Sequence, residues 1–95
     1  MSIGQIALMN KIGLYILLCS NNRYYIGSTN NLERRLREHK GKRVIATKNL
    51  LPLELVFFHK CANLKQARVL EHRLKNKKSK DIINRIIKDG FIKFI

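Results

Sequence analysis

Residues 11–40 read KIGLYILLCSNNRYYIGSTNNLERRLREHK, and this stretch decides the fold. The run Leu14-Tyr15-Ile16-Leu17-Leu18-Cys19 is apolar without a break and carries aromatic and β-branched side chains. Such a run suits a strand buried on both faces. Ser20-Asn21-Asn22-Arg23 is polar and turn-forming, and Tyr24-Tyr25-Ile26-Gly27-Ser28 returns as a second strand. Thr29, Asn30 or Asn31 then caps a helix to about His39. Its apolar stripe is narrow, Leu32 and Leu36, with Glu33, Arg34, Arg35, Arg37 and Glu38 on the remaining surface. Residues at i and i+4 share a helix face, so Arg35 and His39 aim at one locus.

The hairpin carries a parity condition. Directly paired residues of an antiparallel hairpin share a face. A two-residue Asn21-Asn22 turn would pair Leu18 with Tyr25 and put Tyr15 and Tyr25 on opposite faces. A loop of odd length, or a bulge, puts both phenols on one face. A shared site therefore predicts an odd-length loop.

Downstream, Lys40 to Pro52 reads as a long basic loop containing Lys42, Arg43 and Lys48. Loops of that length in compact domains are usually functional or mobile. Pro52 fits the entrance of a third strand, Leu53 to His59. A second helix spans about Leu64 to Lys77, with Asn63 as its cap and Leu64, Ala67, Leu70 and Leu74 as its apolar face. Lys75, Lys77 and Lys78 favour its C-terminal dipole. Ser79 caps a third helix whose buried face is Ile82, Ile83, Ile86 and Ile87, and Gly90 ends it. The tail Phe91–Ile95 is expected to pack onto the core. The order is β-β-α-β-α-α, an α+β chain with residues 1–10 as an N-terminal tail and 11–95 as a single domain.

The chain has 95 residues, enough for one domain. Twenty Lys and Arg against six Asp and Glu give a net charge of +14. That imbalance points to a polyanionic partner, nucleic acid before anionic membrane. No apolar run approaches the ~20 residues of a membrane span, and MSIGQIALMN lacks the basic n-region and cleavage site of a secretory signal. Cys19 and Cys61 stand alone, with no CxxC or Cys/His pairing for zinc, and a reducing cytoplasm is the expected compartment. The carboxylates are Glu33, Glu38, Glu54, Glu71, Asp81 and Asp89, with no paired acidic cluster. A two-metal site needs several bridging carboxylates. One metal held by one carboxylate, waters and substrate phosphates is the form compatible with this set.

Gly13-Leu14-Tyr15, Tyr25-Ile26-Gly27, the helix Ser28–His39 and the later Ala67, Glu71 and Leu74-Lys75 resemble, in this order, the motifs of the GIY-YIG nuclease family. The likeness is to compact single-domain members similar to the nuclease module of the bacterial nucleotide-excision repair endonuclease, and it runs from about Lys11 to Lys88. Leu14 stands where the motif has Ile. The resemblance implies a small three-stranded antiparallel sheet of mixed order flanked by helices. It implies a metal-dependent endonuclease acting on DNA with one divalent ion, Mg²⁺ or Mn²⁺. Tyr15 would act as or position the base, Tyr25 would hydrogen-bond within the site, and Arg35 would bind the scissile phosphate. His39 would assist proton transfer and Glu71 would be the lone protein ligand of the metal. Asn84 is the nearest match to an asparagine many members place beyond the glutamate.

A phenol has a pKa of about 10, so Tyr15 needs cations to lower it, and the basic surplus is the expected source. Ala67 is expected to leave open space beside Glu71. Arg34, Lys40, Lys42, Arg43, Lys48, Lys75, Lys77 and Lys78 are the expected backbone-tracking cations, which bind without reading sequence. The expected substrate is single-stranded, branched or flap DNA, selected by structure or strand because the module leaves no separate domain to read bases. A protein partner would supply targeting. The rival readings are a non-catalytic nucleic-acid-binding module and a component of a DNA repair assembly. Residue by residue, the tyrosines also fit a strand core, His39 a helix C-terminus, and Glu71 a surface pair with Lys75.

Overall fold

A computed structural model describes residues 11–77 and 79–93. The tail at 1–10, Lys78, Phe94 and Ile95 lie outside the described residues. The elements follow in the order β1 (Gly13–Leu18), β2 (Tyr24–Thr29), α1 (Leu32–Lys40), β3 (Glu54–Lys60), α2 (Leu64–Lys77) and α3 (Lys80–Asp89). This is the expected α+β order, and the sheet is antiparallel throughout, with strands arranged β2-β1-β3.

The unbroken apolar run falls on the central strand. β1 has neighbours on both edges and helices on both faces, so Leu14, Tyr15, Ile16 and Leu17 are all at most 1% exposed. One face carries Tyr15 and Leu17 and packs on Leu32 and Leu36 of α1, with Tyr25, Leu53 and Phe58 around them. The opposite face carries Leu14, Ile16, Ile26 and Phe57. It packs on Ala67, Leu70 and Leu74 of α2 and on Ile86 of α3. Burying each of the larger aliphatic side chains stabilises the fold by about 1.5–3 kcal/mol relative to exposure. Ile92 joins this second core, as expected for the tail, whereas Phe91 is half exposed.

Leu18 pairs with Tyr24, Leu17 with Tyr25 and Tyr15 with Gly27. The connecting loop is therefore Cys19–Arg23, five residues, and both site tyrosines share the α1 face. Asn22 takes a left-handed φ of 65° to close it, and Asn21 Oδ1 accepts from the Arg23 N–H. Strand β3 starts at Glu54 rather than Leu53, because pairing begins with Leu18↔Glu54 while Leu53 packs below Leu17. Caps fall where the side chains predict them: Asn31 Oδ1 accepts from Arg34 N–H and Asn63 Oδ1 from Gln66 N–H. Ser79 Oγ accepts from Ile82 N–H, and Gly90 ends α3 at a φ of 80°.

Candidate active site

The centre of the site is the Tyr15 hydroxyl. α1 crosses the Tyr15 face and delivers two side chains one turn apart: Arg35 Nε donates to Tyr15 Oη at 3.2 Å, and His39 Nε2 lies 2.8 Å from the same oxygen. His39 Nδ1 lies 2.8 Å from Thr47 Oγ1. The guanidinium only donates, so Tyr15 accepts from Arg35; in the tautomer that leaves Nε2 bare, the phenol proton goes to His39 Nε2. A neutral imidazole then carries its proton on Nδ1 and donates to Thr47. The chain of bonds is thus polarised, Arg35 to Tyr15 to His39 to Thr47.

Burial keeps the imidazole neutral. His39 is 1% exposed, and its pKa falls to about 4, through burial first and the neighbouring Arg35 charge second, against a smaller opposing pull from Glu38. Tyr15 moves opposite to expectation. Its ring is fully buried, and burial pushes its pKa up to about 12; the Arg35 bond pulls down, while Tyr25 and the Glu71 carboxylate push further up. Desolvation of the charged form outweighs the nearby cation here.

Gly27 explains why the ring fits. A Cβ at that position would collide with Tyr15 Cζ and Oη. The ring of Tyr15 therefore lies across the bare backbone of β2, its hydroxyl aimed at α1. Gly27→Ala is expected to displace the phenol and to slow any Tyr15-dependent reaction by about 100-fold. Its check is the single-turnover rate beside a thermal melt, and a rate within fivefold of wild type would contradict the packing role.

Tyr25 stands beside this group through its ring, with centroids 5.1 Å from His39 and 6.2 Å from Tyr15. Contrary to the expected hydrogen bond, its hydroxyl has no such partner among the described residues; its contact with the group is through the ring. Glu71 comes from the other helix layer. Its Oε1 accepts from Ser28 Oγ at 2.7 Å and its Oε2 from Lys75 Nζ at 2.7 Å. Ser28 follows Gly27 on the edge strand, so the acid reaches the sheet edge next to the position that Tyr15 overlies. Glu71 is thus brought up to the margin of the Tyr15 group, not into direct contact with it.

Ala67 does not open space beside Glu71. It is fully buried in the core between α2 and the sheet, where a small side chain lets helix and strand approach closely. Asn84 accepts from the Tyr24 hydroxyl at 2.5 Å. Tyr24 lies four residues before Ser28 on β2, so Asn84 sits about 13 Å along the strand from the Glu71 contact. Lys40, Lys42, Arg43 and Lys48 are exposed at the end of α1 and in the loop that carries Thr47. Arg34 is exposed at the start of α1 and donates to Asn30 Oδ1. Lys75 is paired with Glu71, Lys77 lies at the end of α2, and Lys78 lies outside the described residues.

Residues 11–86 match the sequence pattern of the GIY-YIG catalytic domain. The chain belongs to the GIY-YIG family. GIY-YIG catalytic domains are nuclease domains, so the substrate class is nucleic acid. The UPF0213 protein YsiG of Lactococcus lactis subsp. lactis (strain IL1403) is 37% identical over 93 residues, 92% of this chain and 89% of that protein. A UPF0213 protein of Pediococcus pentosaceus is 32% identical over 87 residues, covering 90% and 92%. The UPF0213 protein OB0043 of Oceanobacillus iheyensis is 40% identical over 63 residues, covering 65% and 73%. None of the solved structures matches the chain.

Within this GIY-YIG chain two contributors escaped the sequence reading. Thr47 is fully buried in the 41–53 loop, which is pinned by Thr47 N–H to Val44 O, Leu50 N–H to Thr47 O and Ser20 N–H to Leu50 O. Its signal was available: a buried histidine needs an Nδ1 partner, and Thr47 is the only hydroxyl-bearing residue of that basic loop. Ser28 had no comparable signal beyond its place after Gly27.

Proposed function

We propose that this chain is a divalent-cation-dependent endonuclease that hydrolyses DNA phosphodiester bonds and selects by structure or strandedness rather than by sequence. The observation that carries the reading is the polarised chain through Tyr15, which joins a phosphate-binding cation to a neutral imidazole. Arg35 uses Nε on Tyr15 and one N–H of Nη1 on Glu38. Three of its five N–H groups remain for an anion. A scissile phosphate bound there meets a charge-assisted fork, which neutralises developing charge on its oxygens. Once substrate binding uncovers the Tyr15 hydroxyl, which is fully buried here, a water beside it gives its proton to the phenol oxygen as the phenol proton passes to His39 Nε2. His39 is the final acceptor, held neutral for the task. The bound phosphate offsets the Arg35 charge, one of the two causes that depress His39, and so strengthens the base when substrate arrives.

Glu71 suits a cation of the Mg²⁺ class, which is commonly held by one or two carboxylates with waters and substrate phosphates. Among the described residues no group of three or more His, Cys, Asp and Glu converges, and a metal held here would take this carboxylate, waters and substrate phosphates as its ligands. The ammonium of Lys75 already marks Oε2 as a cation position. Held by Glu71, a divalent ion would supply further charge neutralisation at the phosphate. The exposed cations of α1 and its following loop support backbone tracking, which carries no base information.

The Glu71 carboxylate has a partner at each oxygen, and this favours one second reading, a nucleic-acid-binding module without cleavage. Incubation with Mg²⁺ or Mn²⁺ and single-stranded, duplex, flap and branched DNA separates the two. Cleavage is expected, with Glu71→Ala and Arg35→Ala each lowering the rate at least 100-fold while both variants melt as folded proteins. Binding without cleavage by wild type would establish the second reading, and sharp sequence dependence would remove structural selection.

A further inference from the structure

A cavity of about 260 Å³ lies where the β2–α1 junction meets the start of α2. Ser28, Asn30, Arg34, Arg35 and Arg68 stand on its wall, and no carboxylate does. Three arginines from two helices thus line one small polar space. Their commitments differ. Arg35 is tied to Tyr15 and Glu38, and Arg34 to Asn30. Arg68 is exposed and makes no hydrogen bond or ion pair among the described residues. It precedes Glu71 by one helical turn, on the same face of α2. The cavity therefore lies between Arg34 and Arg35 of α1 and Arg68 of α2, with the Ser28–Glu71 contact beside it. Glu38 answers the Arg35 charge alone, and no carboxylate lines the cavity to answer Arg34 and Arg68, so an anion in the space would relieve their repulsion.

We propose that this cavity is a second phosphate site, in which Arg68 binds the backbone phosphate next to the one held by Arg35. The inference rests on the nuclease reading for the role of Arg35, and adds a substrate requirement: a charged phosphate flanking the cut. Arg68 is a specificity-determining contact for the position of the strand, without a part in the proton chain.

Affinity measured by fluorescence anisotropy in EDTA, where no cleavage runs, tests it. The probes are oligonucleotides that each carry a single neutral methylphosphonate, moved one phosphate at a time. Wild type is expected to lose about 10-fold in affinity when the flanking phosphate is neutralised. Arg68→Ala should lose a similar factor on unmodified DNA, reduce the salt slope by about one, and be indifferent to that same methylphosphonate. Arg68→Lys should restore part of the affinity. Equal affinity of wild type and Arg68→Ala, or losses that add at every methylphosphonate position, would overturn the proposal. So would thermal stabilisation of wild type, and not of Arg68→Ala, by inorganic phosphate alone with unchanged oligonucleotide binding; that result makes the cavity a free-anion site. A protein that cuts nothing yet shows the Arg68-linked phosphate effect would refute the nuclease reading and leave this site standing.

Discussion

Tyr15→Phe is expected to slow cleavage by about a thousandfold while the protein still folds. The substitution keeps the ring that lies across Gly27 and packs on Leu32, and deletes one oxygen. That oxygen is the meeting point of Arg35 Nε and His39 Nε2. Without it the proton path from water to imidazole is cut, and general-base contributions of this kind are worth about 10²–10⁴-fold. Arg35 also loses the acceptor that orients its guanidinium. Stability falls too, because Nε2 of the buried imidazole is left without a donor, at about 1–3 kcal/mol. Single-turnover rates at saturating enzyme, read beside a thermal melt, separate the two effects. Tyr25→Phe is the internal control. Its hydroxyl takes no part in the chain, so the rate should stay within about tenfold of wild type. A Tyr15→Phe rate within fivefold of wild type would show that the phenol oxygen carries no proton.

What the sequence disclosed about this site is what local periodicity governs. Arg35 and His39 are four residues apart on one short helix, so their convergence is a property of the helix alone. Tyr15 and Tyr25 share a face because strand parity and an odd loop require it, and the register Leu18↔Tyr24 meets that condition. Ser79, Asn63 and Gly90 act as caps by their own chemistry. The readings that missed depend on what lies across the core. The direction of the Tyr15 shift turns on how completely α1 and β3 cover the ring, since burial and the Arg35 bond pull oppositely. Ala67 is adjacent to Glu71 on a helix projection, yet it faces the sheet at the closest approach of α2. Asn84 follows Glu71 in the expected order, but α3 carries it to the Tyr24 end of β2. Thr47 reaches His39 through a loop whose path no periodicity describes.

Acid is expected to unfold this protein early, by way of His39. In the unfolded chain its pKa is about 6.5, and in the fold it is pushed down to about 4. Between those values the unfolded state binds a proton that the native state refuses, so stability rises with pH through the window and is lost as pH falls from 6.5 to 4. At 1.36 kcal/mol per unit the loss is about 3 kcal/mol, a large part of the stability of a 95-residue domain. The groups facing the ring account for the resistance. Arg35 repels the imidazolium, Tyr15 must donate to an unprotonated Nε2, and Thr47 holds the other nitrogen. Glu38, the carboxylate that favours the cation, is half engaged with Arg35. Urea titrations at intervals from pH 7 to pH 4 should therefore show the midpoint falling in wild type. Most of that slope should vanish in His39→Gln, which titrates nothing there but leaves the six carboxylates in place. A His39→Gln profile parallel to wild type would mean that the imidazole protonates freely in the fold, and the polarised chain from Arg35 to Thr47 would lose its neutral link.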